Sequence, residues 1–428
     1  MNTFNKQILA LSIPSIITNI TTPLLGIVDV AVVGHMGSAV YIAAIAVGGS
    51  MFNMLYWLFA FLRMGTSGMT AQACGAGDGR ASSLILYRAL AVAMAIGAVI
   101  LVMQSLLCES VLDFMGADTG TRLLASRYFM MCVCGAPAVL GTYALSGWFL
   151  GMQDSRSPMW ISVAINVANI AISLLLVYVF GMGIEGVATG TFMAQWLGFL
   201  LGLLLCRRYC LLRMPVGEIL DWQELKRFFS VNLDIFLRTV CLVAVTVWFT
   251  RAGSQQGTVV LAINTLLMQL FMLFSFFMDG FAFAGEALCG KFVGAGNRAD
   301  LRRCIKCLFS WGAGLALLFT LLYGVGGEWF LRFLSSDVAV TEGAGSYFVW
   351  AMLIPVTGFV AFTWDGVYIG ATDTRSMLLS MVLATGVYFA LYAMLSPSYG
   401  NHALWLSFIC YLLTRGAVQT VIGRRYFV

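Results

Sequence analysis

One carboxylate, Asp29, stands inside the apolar run 8–34, which is long enough to cross a membrane. A charged side chain at membrane depth costs at least about 2.5 kcal/mol on insertion scales, so such residues face a bundle interior and mark ion or substrate paths. The chemistry open to a single acid there is to take up and release a proton or to hold a cation. A purely structural, hydrogen-bonded carboxylate is the other reading, because the polar turn Gly34-His35-Met36-Gly37 follows closely. The run is also built to bend: Pro14 and Pro23 each remove a backbone donor, and Gly26 leaves room beside Asp29 for a helix or for water.

Asp279 and Asp365 also lie in apolar context, as candidates for substrate charge recognition or a second coupling site. Pairing with Arg63 or Arg238 is the structural alternative for both. Asp234 and Arg238, four residues apart, are expected to form an intrahelical ion pair, with gating as the alternative for Asp234, Arg238 and Arg63. Other patterns carry less. Cys304 and Cys307 have no second pair or nearby His to complete a zinc site, so no metal is expected. Gly75-Ala76-Gly77-Asp78 lacks the Lys-Ser/Thr of a phosphate loop. His35 and His402 read as turn residues, with pH sensing as the alternative.

These residues need elements to hold them, and the composition says where those elements lie. With 428 residues, 61% hydrophobic, 10% charged and mean hydropathy +0.91, the chain cannot bury its apolar surface in one soluble core. Spanning-length windows fall at 8–34, 41–72, 82–107, 122–150, 158–180, 185–206, 228–250, 258–289, 303–325, 343–370, 376–396 and 402–422. No cleavable signal peptide is expected. Assigning loops alternately puts 17 Lys and Arg on the side of the termini and four (Arg122, Arg127, Arg251, Arg332) on the other, so both termini are expected in the cytoplasm. The net charge of +5 is then a topology signal that calls for no nucleic-acid partner.

An internal repeat organises the spans. Gly75-Ala76-Gly77-Asp78 recurs as Gly294-Ala295-Gly296-Asn297, and Gly151-Met152-Gln153-Asp154-Ser155-Arg156-Ser157 as Gly370-Ala371-Thr372-Asp373-Thr374-Arg375-Ser376, both 219 residues on. The expected fold is all-α and membrane-integral, with six-helix lobes at 1–208 and 228–428 related by a parallel repeat. The polar stretch 209–227 is the expected cytoplasmic linker and hinge, with Glu218, Asp221, Glu224, Lys226 and Arg227 on a short interfacial helix. Asp365 aligns with Ser146 in this repeat, so the repeat does not require an acid there.

The run Phe61-Leu62-Arg63-Met64-Gly65-Thr66-Ser67-Gly68-Met69-Thr70-Ala71-Gln72-Ala73 resembles the second-helix signature of the multidrug and toxic compound extrusion (MATE) transporters, in their DinF branch. So do Asp29-Val30-Ala31-Val32-Val33-Gly34-His35-Met36-Gly37, Asp234-Ile235-Phe236-Leu237-Arg238-Thr239 and Asp279-Gly280-Phe281-Ala282-Phe283-Ala284-Gly285-Glu286-Ala287-Leu288. The resemblance implies two six-helix lobes exporting organic cations in exchange for protons or sodium. It matches the family's first-helix acid to Asp29 and its kinking proline to Pro14. Its fifth-helix pattern, Asn with Asp four residues on, appears as Asn169 and Ser173, and its sixth-helix threonine as Thr191. The Asp-to-Ser departure leaves one carboxylate. Residues four apart share a helix face, so Asn169 and Ser173 can point at one site with Asn166 beside them.

Because an apolar setting penalises a charged carboxyl, the reading favours H⁺ coupling with Na⁺ open, and no other cofactor. Protonation of Asp29 from outside would let the first helix bend and expel the bound compound. Ordinary interhelical hydrogen bonding is the alternative for Asn166, Asn169, Ser173 and Thr191. The expected partners are small organic cations and the bilayer; the chain is expected to be a monomer of the cell inner membrane and not an enzyme. The alternative function is a flippase for lipid-linked precursors, which would want more cationic residues in its cavity.

Overall fold

In bilayer hydrocarbon only helices and closed barrels satisfy every backbone polar group, and the apolar runs here fold as helices. The computed structural model describes residues 3–34, 39–115, 119–209, 211–334 and 338–426, and no strand occurs among them. The helices are α1 (Thr3–Gly34), α2 (Ala39–Leu58), α3 (Phe61–Gly75), α4 (Gly79–Val102), α5 (Gln104–Met115), α6 (Thr119–Cys132), α7 (Ala136–Gly151), α8 (Arg156–Leu174), α9 (Gly183–Cys206), α10 (Val216–Ile219), α11 (Trp222–Gln255), α12 (Thr258–Gly294), α13 (Arg298–Leu334), α14 (Val338–Gly370) and α15 (Thr374–Gly423). His35 lies outside the described residues.

Among the described residues, ten helical stretches are long and apolar enough to cross a membrane. One of them, Thr374–Tyr426, holds two of the expected spans, 376–396 and 402–422, joined across Pro397 and a break at Gly400 (φ 50°, ψ −121°). Window 8–34 is α1. Window 41–72 is divided into α2 and α3 at the turn around Phe59 and Ala60, and window 122–150 into α6 and α7 by a 3₁₀ turn at Val133–Gly135.

The chain forms two compact units. One is Ile17–Asn232; the other is Met1–Ile16 with Leu233–Val428. The sequence boundaries 1–208 and 228–428 differ from this division in two places. The first turns of α1 go with the later residues, so the division falls between Pro14 and Pro23, and the expected linker 209–227 lies wholly in the unit Ile17–Asn232. Within that unit α8 packs on α9, α7 on α3 and α4, and α2 on α6. In the other, α14 is central, packed on α12, α13 and α15.

The repeat seen in two short motifs extends into the packing. A Cβ on Gly147 would lie 2.2 Å from the Arg63 carbonyl oxygen, and one on Gly366 would lie 2.3 Å from that of Ala282, both residues 219 positions on. Asp78 Oδ1 accepts from Ala81 N at 2.8 Å to cap α4, and Asn297 Oδ1 accepts from Asp300 N at 3.1 Å to cap α13. Tyr209 OH donates to Asp154 Oδ2 at 2.9 Å, and Tyr426 OH to Asp373 Oδ2 at 3.1 Å; the aspartates are 219 residues apart and the tyrosines 217. Backbone atoms cannot step aside as a side-chain tip can, so Gly366→Ala should cost about 1–3 kcal/mol. Gly386→Ala, with open space at its Cβ, should stay within about 0.5 kcal/mol of the parent. Thermal unfolding of the two variants in one detergent checks the contrast.

Candidate functional site

The polar residues of α8 repeat with the helix. Ser162, Asn166, Asn169 and Ser173 fall on one face, because spacings of three and four residues return to the same side. That face meets α1 and α9. Thr21 Oγ1 and Ser162 Oγ are 3.1 Å apart, and Asn166 Nδ2 donates to the Thr21 carbonyl at 3.0 Å, two residues before Pro23. Asn166 therefore braces the α1 backbone at its proline, while Asn169 belongs to the acid's own cluster.

In that cluster Asn169 Nδ2 donates to Thr191 Oγ1 at 2.8 Å. The Thr191 hydroxyl has one proton, shared between the Val187 carbonyl at 3.1 Å and Asp29 Oδ2 at 3.4 Å. Tyr128 OH donates to the same carboxylate oxygen at 3.4 Å. Asp29, Asn169, Ser173, Thr191 and Tyr128 are all buried. Three oxygens of this cluster, Asp29 Oδ1, Asn169 Oδ1 and Ser173 Oγ, have no hydrogen-bond partner among the described residues. A buried acceptor without a partner costs about 1–3 kcal/mol, so such a cluster favours a proton donor or a cation. Gly190 lets α9 close on α8 here, since a Cβ on it would lie 2.2 Å from Ser173 Oγ. Immediately after α8 the backbone widens into a π-helical turn, Leu175–Val179, with Phe180 N donating to Leu175 O at 3.3 Å.

Along α1, Pro14 is buried, whereas Pro23 and Gly26 are exposed. Nothing lies within 4 Å of a Cβ built on Gly26, so among the described residues no helix fills the room expected there. Both prolines sit inside a helix that runs unbroken from Thr3 to Gly34.

The acids of the other unit are arranged differently. Asp365 on α14 accepts on Oδ2 from both Arg238 of α11 and Arg415 of α15, and on Oδ1 from Gln419 Nε2 at 2.7 Å. All four side chains are buried, and Arg415 lies 5.7 Å over the Phe362 ring. The intrahelical Asp234–Arg238 pair expected from the sequence is therefore not formed. Arg238 reaches Asp365 instead, and Asp234 accepts from Thr374 Oγ1 at 2.7 Å. Asp279, half-buried on α12, accepts from Ser275 Oγ at 3.3 Å. Arg63 is half-buried on α3, with its carbonyl against Gly147.

Sequence reading missed Tyr128 and Arg415. For Arg415 a signal existed, a guanidinium inside a spanning run; for Tyr128 there was none, since tyrosines are common in such helices. The structure also corrects the linker. Glu218 alone of the five charged residues lies on the short helix α10; Asp221 precedes α11, and Glu224, Lys226 and Arg227 lie on it. Nor does the segment hang free, because Arg88 donates to the carbonyls of Glu218 (2.8 Å) and Ile219 (3.2 Å) and Arg80 clasps the Glu218 carboxylate (2.6 and 2.7 Å).

The model of the MatE family matches residues 14–175 and 233–395. DNA damage-inducible protein F of Escherichia coli (strain K12) is 35% identical over 426 residues, covering 99% of this chain and 93% of that protein. Multidrug resistance protein MdtK of Edwardsiella ictaluri (strain 93-146) is 24% identical, covering 98% and 95%. Among solved structures, the Vibrio cholerae MATE transporter VcmN in its bent form superposes with a TM-score of 0.91 at 15% identity, over 99% of this chain and 97% of that one. That likeness shows a shared fold.

Proposed function

This chain belongs to the MatE family, and from that premise we propose that it is a secondary active exporter of lipophilic or cationic organic compounds, working by alternating access. It exchanges its substrate for protons at Asp29. The observation that carries this reading is the buried cluster in which Asp29 Oδ1, Asn169 Oδ1 and Ser173 Oγ lack partners beside Thr191 and Tyr128. A proton on Oδ1 removes the buried charge and turns an unsatisfied acceptor into a donor that the amide or hydroxyl oxygen can accept. Release restores the charge and weakens that link between α1 and α8.

With Ser at position 173 the cluster has a single carboxylate beside amide and hydroxyl groups; that set can carry a proton, whereas two carboxylates with neutral oxygens would suit a desolvated Na⁺ better, and the reading is therefore H⁺. Names such as multidrug resistance protein NorM and MdtK among the relatives support small organic compounds as cargo. The protein works in the cell inner membrane with both termini in the cytoplasm, an orientation that its Lys and Arg distribution supports.

The test is efflux of a fluorescent organic cation from proteoliposomes under an imposed pH gradient, then under an imposed Na⁺ gradient. Transport should follow the pH gradient and collapse with a protonophore. Transport driven by Na⁺ at uniform pH would make the ion sodium, and movement of no cation under either gradient would remove the export reading.

A further inference from the structure

The segment joining α9 to α11 has more basic charge and apolar surface than its protein contacts use. Each of its three acids is engaged by the chain. Glu218 is held by Arg80, Glu224 Oε2 accepts from Arg88 at 3.4 Å, and Asp221 Oδ1 accepts from the Gln223 and Glu224 backbone amides at 3.0 and 3.1 Å. Leu212 N also donates to Ser83 Oγ at 3.3 Å, so the inner side of the segment is fastened to α4 at several points.

The outer side has no such partners. Arg207, Arg208, Arg213, Lys226 and Arg227 are exposed and form no ion pair among the described residues. Large apolar side chains lie among them: Leu212, Val216, Leu220 and Trp222 are 48%, 68%, 57% and 74% exposed. On a membrane protein, basic residues interleaved with exposed Leu, Val and Trp just beyond a spanning helix match the bilayer interface. There the apolar groups enter the headgroup boundary and the cations meet phosphate. Basic loops alone are a topology signal; here the segment's own acids are used internally and its apolar side chains are left uncovered.

We propose that residues 207–209 and 211–227 form an anionic-phospholipid binding surface, fastened by Arg80 and Arg88 to α4 and seated on the adjacent leaflet through Leu212, Val216, Leu220 and Trp222. The occupant is a bilayer phospholipid with a net negative headgroup, chosen by the uncompensated charge of five basic residues. The inference stands whether or not the chain moves a drug, and its test reads lipid contact alone.

The protein is reconstituted in phosphatidylcholine vesicles with one-third phosphatidylglycerol, with bromine on the acyl chains of one lipid or the other. The part of the fluorescence quenching that is lost in Trp222→Phe reports Trp222. Brominated phosphatidylglycerol should quench Trp222 severalfold more than brominated phosphatidylcholine. Parity should return at about 1 M salt, where the screening length falls to about 3 Å. The exposed-site variant Arg213→Gln/Lys226→Gln/Arg227→Gln should reach the same parity at low salt. Equal quenching by the two lipids in the parent protein at low salt overturns the proposal. So does Trp222 unquenched by either lipid, and so does a phosphatidylglycerol preference that survives both high salt and the triple substitution.

Discussion

Asp29→Asn is expected to reduce pH-gradient-driven efflux on the order of 100-fold, the upper end of the coupling that links two ligands through one protein. The amide keeps the size of the side chain and an oxygen that can accept from Tyr128 and Thr191, so the packing of α1 on α8 and α9 survives. It loses the ability to exchange a proton, and with it the change in charge proposed to connect the ion to the cargo. Stability in detergent should move by no more than about 1 kcal/mol. Efflux in proteoliposomes, with thermal unfolding beside it, measures both. A variant that unfolds as the parent does and still pumps as the parent does would remove Asp29 from the coupling role.

Asp365→Ala is expected to do the reverse, unfolding the protein before it touches transport. The carboxylate is shared by Arg238 and Arg415, both buried, and also accepts from Gln419. Removing it leaves two guanidiniums facing each other without their shared counter-ion. Breaking a buried ion pair from one side costs about 3–5 kcal/mol, whereas replacing the whole group by apolar residues of similar volume is often neutral. Arg238→Met/Asp365→Leu/Arg415→Met should therefore recover most of what Asp365→Ala loses, read as unfolding temperature and monodispersity on size exclusion. A single variant as stable as the parent would show that the arginines are compensated by other groups.

The difference between these two acids was only half legible in the sequence. Both stand as single charges in apolar runs, which marks them as needing a reason without saying which reason. What separates them is the company brought by distant helices: Arg415 lies 50 residues after Asp365, and Tyr128 lies 99 after Asp29. No spacing rule within a helix reaches so far. The local rule for charges four residues apart instead suggested Asp234 with Arg238, and it failed because a long guanidinium side chain on α11 reaches α14. By contrast, Asn169, Ser173 and Thr191 were marked by the resemblance to the family's helix patterns; spacing added that Asn169 and Ser173 share one helix face, a local property, and the structure brings Asn169 to Thr191 and Ser173 against Gly190. The π-helical turn at Leu175–Val179 left no trace in residue types that would distinguish it from ordinary apolar helix. The repeat was visible in its two turn motifs because turns demand particular residues, while the helices between them tolerate any apolar side chain.

The duplicated glycine contacts bear on how far the halves of such a chain can part chemically. Gly147 touches the oxygen of Arg63 and Gly366 that of Ala282, so the same seam accepts an arginine in one half and an alanine in the other. A junction made of main-chain atoms is indifferent to the side chain borne by its partner. Substitution is thus free to rewrite the polar contents of either half without disturbing the seam. One half has come to hold an oxygen cluster around a carboxylate and the other a carboxylate between two arginines, a division of labour laid over a shared skeleton.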